Sequence, residues 1–158
     1  MEAAIDLAGR GVAWIVLVHV VLVAVNVILR YLLQIGPVAL QELEWHLMSP
    51  IALFGMAYAL RHDDHVRVDI LYDRYPPPVR AFVDFLASVA TVAIAIVIIK
   101  LSFGFIHQSW SEGEVSPDPG GLPFRWLLKS FIPMGFFLLA LQAMAIACRR
   151  WVVLWGGG

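Results

Sequence analysis

Four long apolar runs take up most of this chain, at about Gly11 to Leu33, Glu42 to Leu60, Val79 to Phe105 and Trp126 to Cys148. A helix needs roughly 20 such residues to cross a hydrocarbon core of about 30 Å. Because the bilayer interior offers no water to backbone groups, runs of this length read as membrane helices. The segments between them are too short to bury a core, so no separate soluble catalytic or binding domain is expected. Composition agrees, at 61% hydrophobic and 15% charged, against about 25% charged in a soluble domain. The expected fold is an all-α integral membrane protein, one domain over residues 1–158 with four transmembrane helices. The first run could be a cleaved signal. Its flank, however, holds Glu2 and Asp6 beside Arg10, and the run is longer than a signal's apolar region, so it is expected to be retained. Cys148 is the one cysteine, which rules out an intramolecular disulfide and the Cys-pair membrane oxidoreductases.

Orientation follows from where Lys and Arg fall and not from the net charge of −1. With four crossings, the N-terminus, the island between the second and third runs, and the C-terminal tail share one side. That side collects Arg10, Arg61, Arg67, Arg74, Arg80, Arg149 and Arg150, leaving Arg30, Lys100, Arg125 and Lys129 on the other. The bias predicts both termini in the cytoplasm. Tryptophan placement agrees: Trp14, Trp151 and Trp155 fall at the predicted inner interface, and Trp45, Trp110 and Trp126 at the outer one.

Polar residues inside the runs are the candidate interaction sites. His19, Asn26 and Arg30 are spaced by seven and four residues, which places them in one sector of a helix. Such a stripe predicts a seam against another helix or subunit, the alternative being isolated tolerated groups with Arg30 reaching to the interface. The second run opens with Glu42, Glu44 and His46. Carboxylates in a first turn suit the positive helix end, and Glu42 could instead pair with Arg30 across the short Gly36-Pro37 turn. Pro50 and Pro133 lie inside the second and fourth runs and invite kinks, though proline is also ordinary in membrane helices. In the island, Val68, Leu71, Tyr72 and Tyr75 follow amphipathic helical spacing, which predicts a short cytoplasmic surface helix stopped by Pro76, Pro77 and Pro78. The Pro- and Gly-rich outer segment from His107 to Arg125 predicts turns laid against the membrane face.

Catalytic and cofactor chemistry is not apparent in this pattern. His62 and His65 beside Asp63, Asp64 and Asp69 could form a weak divalent site but fit a solvated charged turn better. Bis-histidine haem would need His19 and His46, which sit at depths mismatched by roughly 12 Å at 1.5 Å per residue. There is no phosphate-cradling glycine loop, activated serine or paired intramembrane carboxylate. Four mostly apolar helices make an autonomous pump a poor fit and an accessory subunit a good one. A membrane anchor for a redox enzyme, of b-type cytochrome kind, is the alternative, and a small membrane enzyme the third reading.

Three segments carry a family resemblance: QELEWH at Gln41 to His46, GMAYALRHDDHVRVDILY at Gly55 to Tyr72, and GEVSPDPGGLPFRWLLKSFIP at Gly113 to Pro133. The chain resembles the small membrane subunit, DctQ type, of tripartite ATP-independent periplasmic (TRAP) transporters, and its outer loop is similar to the branch associated with mannitol, chloroaromatic or 2-oxo acid uptake. The doublet Asp63-Asp64 stands where a small residue would precede the HVRVD motif. The resemblance implies a bacterial or archaeal cytoplasmic-membrane complex. In it a large membrane subunit carries the Na⁺ and substrate sites and moves as an elevator, and a soluble periplasmic protein delivers an organic acid or related solute. The small subunit is then a scaffold with lipid contacts, no cofactor of its own and no nucleic-acid partner. Glu42, His65, Arg67, Asp69, Gly121, Pro123 and Pro133 are the family-like residues, with structural or interface roles, and His19, Asn26 and Arg30 are candidates for the subunit interface.

Overall fold

A computed structural model describes residues 2–62, 72 and 74–155, and among these there are helices and turns but no strand. The helices are α1 (Glu2–Leu32), α2 (Val38–His62), α3 (Pro77–Ser111) and α4 (Arg125–Trp155). Their ends follow from the punctuating residues. Past the end of α1, Gln34 takes a left-handed backbone (φ 57°) and the Ile35 N–H bonds the Leu29 carbonyl at 3.0 Å. Pro37 follows and restarts the chain as α2, its carbonyl accepting from the Leu40 and Gln41 amides. Pro76 caps α3 in an extended conformation, with prolines filling the first helical positions, where a missing N–H costs nothing. Most of the surface helix expected in the island, with His65, Arg67 and Asp69, lies outside the described residues.

Among the described residues, three helices, α1, α3 and α4, are long and apolar enough to cross a membrane. The second run is a helix as expected and at 25 residues would extend about 37 Å. Glu42, Glu44, His46 and Ser49 in its first half make it more polar than the other three.

The packing order in space is α1, α2, α4, α3, with the closest contacts between α3 and α4, then α1 with α2 and α2 with α4. Helices α2 and α4 are therefore central and α1 and α3 flank them. Where α3 meets α4, the buried residues of α3 are Ala81, Ser88, Ala95, Ser102 and Ser109. They recur every seven residues, the period of a left-handed helix pair. Helix α4 buries Gly135, Gln142, Ala143 and Ala147, of which Gly135 packs on α2. Small side chains let the two backbones approach, which is how helices gain packing energy in lipid. Ser88 and Ser102 return their hydroxyl protons to the Asp84 and Ile98 carbonyls, each at 2.7 Å, so the seam carries no unmet donor at those two positions.

The α2–α4 contact depends on Gly135. A methyl group there would fall 2.6 Å from the Leu53 Cβ and 2.9 Å from its carbonyl oxygen, and backbone cannot swing aside as a side chain can. Similarly, Gly9 of α1 lies directly beneath the Tyr58 ring of α2. At this same end, Asp6 pairs with Arg61 at 2.8 Å, tying α1 to α2, and Asp84 pairs with Arg150 at 3.0 Å, tying α3 to α4. Tyr72 donates its hydroxyl proton to the Asp84 carboxylate at 2.8–3.0 Å.

Gly135→Ala is accordingly expected to destabilise the fold by about 1–3 kcal/mol through overpacking, and Gly135→Val by more. Thermal unfolding of the detergent-solubilised chain measures this, with Gly104→Ala, which meets open space, as the neutral comparison.

Candidate functional site

The polar structure of the other end is built around Glu42. This residue lies one turn into α2, is only 4% exposed, and turns towards the α3–α4 loop, where both carboxylate oxygens find donors. Ser116 donates its hydroxyl to Oε1, the Leu122 amide donates to Oε2 at 2.5 Å, and the Arg125 guanidinium stands 3.7 Å away. The loop is folded to present these groups. Ser116 N–H bonds the Leu122 carbonyl at 3.2 Å, Gly121 N–H bonds Asp118, and Arg125 N–H reaches back to Glu114 at 3.3 Å. Gly113 (φ 60°) and Gly120 (φ 81°) take the left-handed turns that a side chain would resist. Gly121 is required for a different reason: a Cβ there would collide with Ser116 and lie 2.8 Å from Glu42 Oε2.

A second pair flanks the first. Lys129 of α4 donates to Glu114 of the loop, with its ammonium 3.9 Å from the centre of the Phe105 ring. That hydrogen bond is the main reason the Glu114 carboxyl is held below its ordinary value of 4.5. Arg125 sits over the Trp45 ring, and the Trp110 and Trp126 rings meet edge to face at 4.6 Å. Three tryptophans around a charged cluster are what a helix end at a membrane interface presents. Chemically the arrangement can hold a loop in place, because every proton on Ser116 and Leu122 that Glu42 accepts is already committed to a structural bond.

The residues singled out in the sequence fall in different places. Glu42 and Gly121 come together, with Pro123 exposed nearby at the loop's exit. Arg30 is exposed near the end of α1, and Glu42 bonds instead with Ser116, Leu122 and Arg125. Glu44 does more than face the helix end, since it accepts a 2.7 Å hydrogen bond from Asn26. Asn26 is thus the polar clasp between α1 and α2, while His19 is half-buried with Nδ1 unpartnered. The α4 helix runs unbroken through Pro133, and α2 through the buried Pro50. Sequence reasoning missed Ser116, Glu114 and Lys129. The only signal was turn chemistry in SPDPGG, which indicates a turn but not what it closes on.

Between α1 and α4, with α2 as floor, runs an apolar groove. Two cavities of about 380 and 470 Å³ lie along it, with Ile15 and Phe54 lining both. Its lower part is walled by Val12 and Phe137, its upper part by Leu127 and Phe131. His46 lines the upper part. Its Nδ1 bonds the Glu42 carbonyl at 2.7 Å, which leaves Nε2 an acceptor, and that atom is buried without a partner.

Residues 19–153 match the family described as tripartite ATP-independent periplasmic transporters, DctQ component. Among curated proteins, the chain is 34% identical over 107 residues to the C4-dicarboxylate TRAP transporter small permease protein of Rhodobacter capsulatus, covering 68% of this chain and 46% of that protein. It is 25% identical over 125 residues to the ectoine TRAP transporter small permease protein of Halomonas elongata, covering 79% and 64%. The chain thus spans about half the length of the first relative and just under two-thirds of the second.

Two outcomes follow from the latch. Glu42→Ala should leave the four helices formed but free the loop, and the Leu122 amide should exchange at least about tenfold faster by hydrogen-exchange mass spectrometry. The Glu114 contribution has a definite sign. Its folded value is depressed, so the stabilisation is present above about pH 4.5 and is lost as pH falls through the lower folded value. Melting temperature followed between pH 6 and pH 3 should decline less steeply in Glu114→Gln than in the parent chain.

Proposed function

Because this chain belongs to the DctQ component family of tripartite ATP-independent periplasmic transporters, we propose that it is the small permease subunit of such a transporter, a non-catalytic frame that braces a larger membrane subunit. The match over residues 19–153 carries this reading. The two relatives are named for chemically different solutes, a C4-dicarboxylate and ectoine. That contrast supports a small subunit that does not choose the solute. Solute and Na⁺ sites then belong to the large subunit, a periplasmic binding protein delivers the solute, and an organic acid or related small molecule is the cargo class.

The chain acts as one membrane domain over residues 1–158, with α2 as a fourth span and both termini in the cytoplasm. Two observations support the fourth span. Flanked by α1 and α4, α2 is shielded from lipid on two sides, so its polar first half need not face hydrocarbon. Glu42, Glu44 and His46 are moreover bonded within the chain. The inward orientation rests on the seven Lys and Arg residues gathered at the α1-start and α4-end side. The exposed faces of α1 and α3, with Leu17, Val21 and Ile28 on one and Leu86, Val89 and Leu101 on the other, are of the kind that meets lipid. Of the polar stripe on α1, Arg30 is the member left exposed for a partner subunit.

A tagged chain co-expressed with the large subunit should carry it through purification, and deletion of the chain should abolish solute uptake. Separate migration together with surviving uptake overturns the proposal. In a Cys148→Ser background, Asp118→Cys, at an exposed position of the α3–α4 loop, should react with an impermeant maleimide from the periplasm, and Tyr75→Cys only after permeabilisation. The reverse pattern inverts the topology.

A further inference from the structure

We propose that the face of α3 around Lys100 is covered by a membrane-spanning helix of the large subunit, and that this helix sets a carboxylate against the Lys100 ammonium. The inference rests on the subunit reading above and adds which face is used and what charge its occupant carries.

Two aromatic pairs set the depth of Lys100. Towards one end of α3 the Phe85 ring meets Trp151 at 5.5 Å, beside the Asp84–Arg150 ion pair. Towards the other, Trp110 meets Trp126 at 4.6 Å. Tryptophans in such positions mark the two membrane interfaces. From Phe85 to Trp110 the helix rises about 37 Å, enough to hold a hydrocarbon core of about 30 Å between the pairs. Lys100 then sits about 15 Å from the level of Trp110 and within about 4 Å of the midpoint. That is roughly 11 Å inside the nearer edge of the core.

The ammonium does not reach that edge. A lysine stem spans about 6 Å, and side chains on a helix lean towards its N-terminus, which for α3 is the Asp84 end. Snorkelling to the nearer interface runs against the lean and still falls short. Nor does the chain meet the charge itself. Lys100 stands two residues before the buried Ser102, about 200° round the helix, and is exposed. Among the described residues none forms an ion pair or hydrogen bond with it. The chain's other lysine shows the contrast, since Lys129 is bonded to Glu114 and seated on the Phe105 ring.

The surface around Lys100 suits a helix. Val97, Lys100, Gly104 and His107 recur at spacings of three, four and three, which is one helix face, and all four are exposed. A Cβ on Gly104 would meet nothing within 4 Å, so no contact inside the chain calls for a glycine that weakens the helix. One turn from the charge, it lets a second backbone come close.

An unpaired cation at this depth selects its occupant. Acyl chains carry no acceptor, and a lipid phosphate lies beyond the core edge that the ammonium does not reach. A second copy of this chain would bring its own Lys100, while its Asp6, Glu42, Glu44 and Asp84 are each bonded internally. A partner helix with an Asp or Glu on its packing face meets both the charge and the space. The half of α3 with Leu86 and Val89 exposed is left to lipid.

The test uses the full chain co-expressed with its large subunit, with a photo-crosslinking benzoylphenylalanine at one position at a time. Val97 and His107 should give adducts of both subunits, and Leu86 should not. Co-purification without adducts at Val97 and His107, or with lipid adducts there, overturns the assigned face while the subunit reading stands. Adducts of two copies of this chain overturn the choice of occupant. Failure of the unaltered chain to co-purify overturns the subunit reading beneath it. Independently, Lys100→Met keeps the stem and loses the charge, and should weaken retention of the large subunit about tenfold or more, with Lys100→Arg retaining more. The chain purified alone should melt no lower with Lys100→Met than without it, because no partner is lost there. Undiminished retention, or an equal loss in the chain alone, overturns the ion pair.

Discussion

Lipid gives helices no hydrophobic reason to associate, because a leucine is as comfortable against an acyl chain as against another leucine. The rest of this structure follows from that constraint. Association has to come from close backbone approach and from polar groups that satisfy one another. The chain uses both, in different places. The long α3–α4 contact is built of Ala and Ser at seven-residue intervals on α3, with small residues of α4 such as Ala143 and Ala147 buried in the bundle. The polar bonds are gathered towards the two ends, Asp6–Arg61 and Asp84–Arg150 at one, Asn26–Glu44 and the Glu42 latch at the other. Charged groups near helix ends can keep partial contact with water, so holding the bundle there avoids the cost of ionised groups in mid-membrane.

How legible this was from sequence depends on the range of each interaction. The helices were readable because a twenty-residue apolar run is a local property, and the turns because Gly36-Pro37 and Pro76 to Pro78 punctuate locally. The Glu42 latch joins residues 74 and 80 positions apart, and no local pattern announces such a closure. Glu42 could be singled out, yet Arg30 looked like a plausible partner because it was the near cation. The serine and alanine heptad of α3 was in plain view but is invisible to hydropathy, which counts Ser88 and Ser102 as weaknesses in an apolar run when they are its packing surface. His19, Asn26 and Arg30 all lie on α1. They then diverge, since Asn26 is bonded within the chain and Arg30 is exposed.

The proposed role as a frame calls for stiffness, and the polar latch supplies it at one end of the bundle. At the latch, the carboxylate oxygens of Glu42 accept from Ser116 and Leu122, so the loop is fixed by bonds within the chain.

The spatial order α1, α2, α4, α3 also bears on how the chain can come together as it is made. The first two helices are neighbours in both sequence and space, so their clasp at Asn26 and Glu44 can close as soon as both exist. The third has no such companion waiting, because its small-residue face matches a helix not yet synthesised. When α4 arrives it must enter between two pieces already in place, fitting Gly135 against Leu53 on one side and Ala143 against the α3 heptad on the other. The last helix is therefore the keystone, and a chain cut short before it would be left as a hairpin and a loose rod.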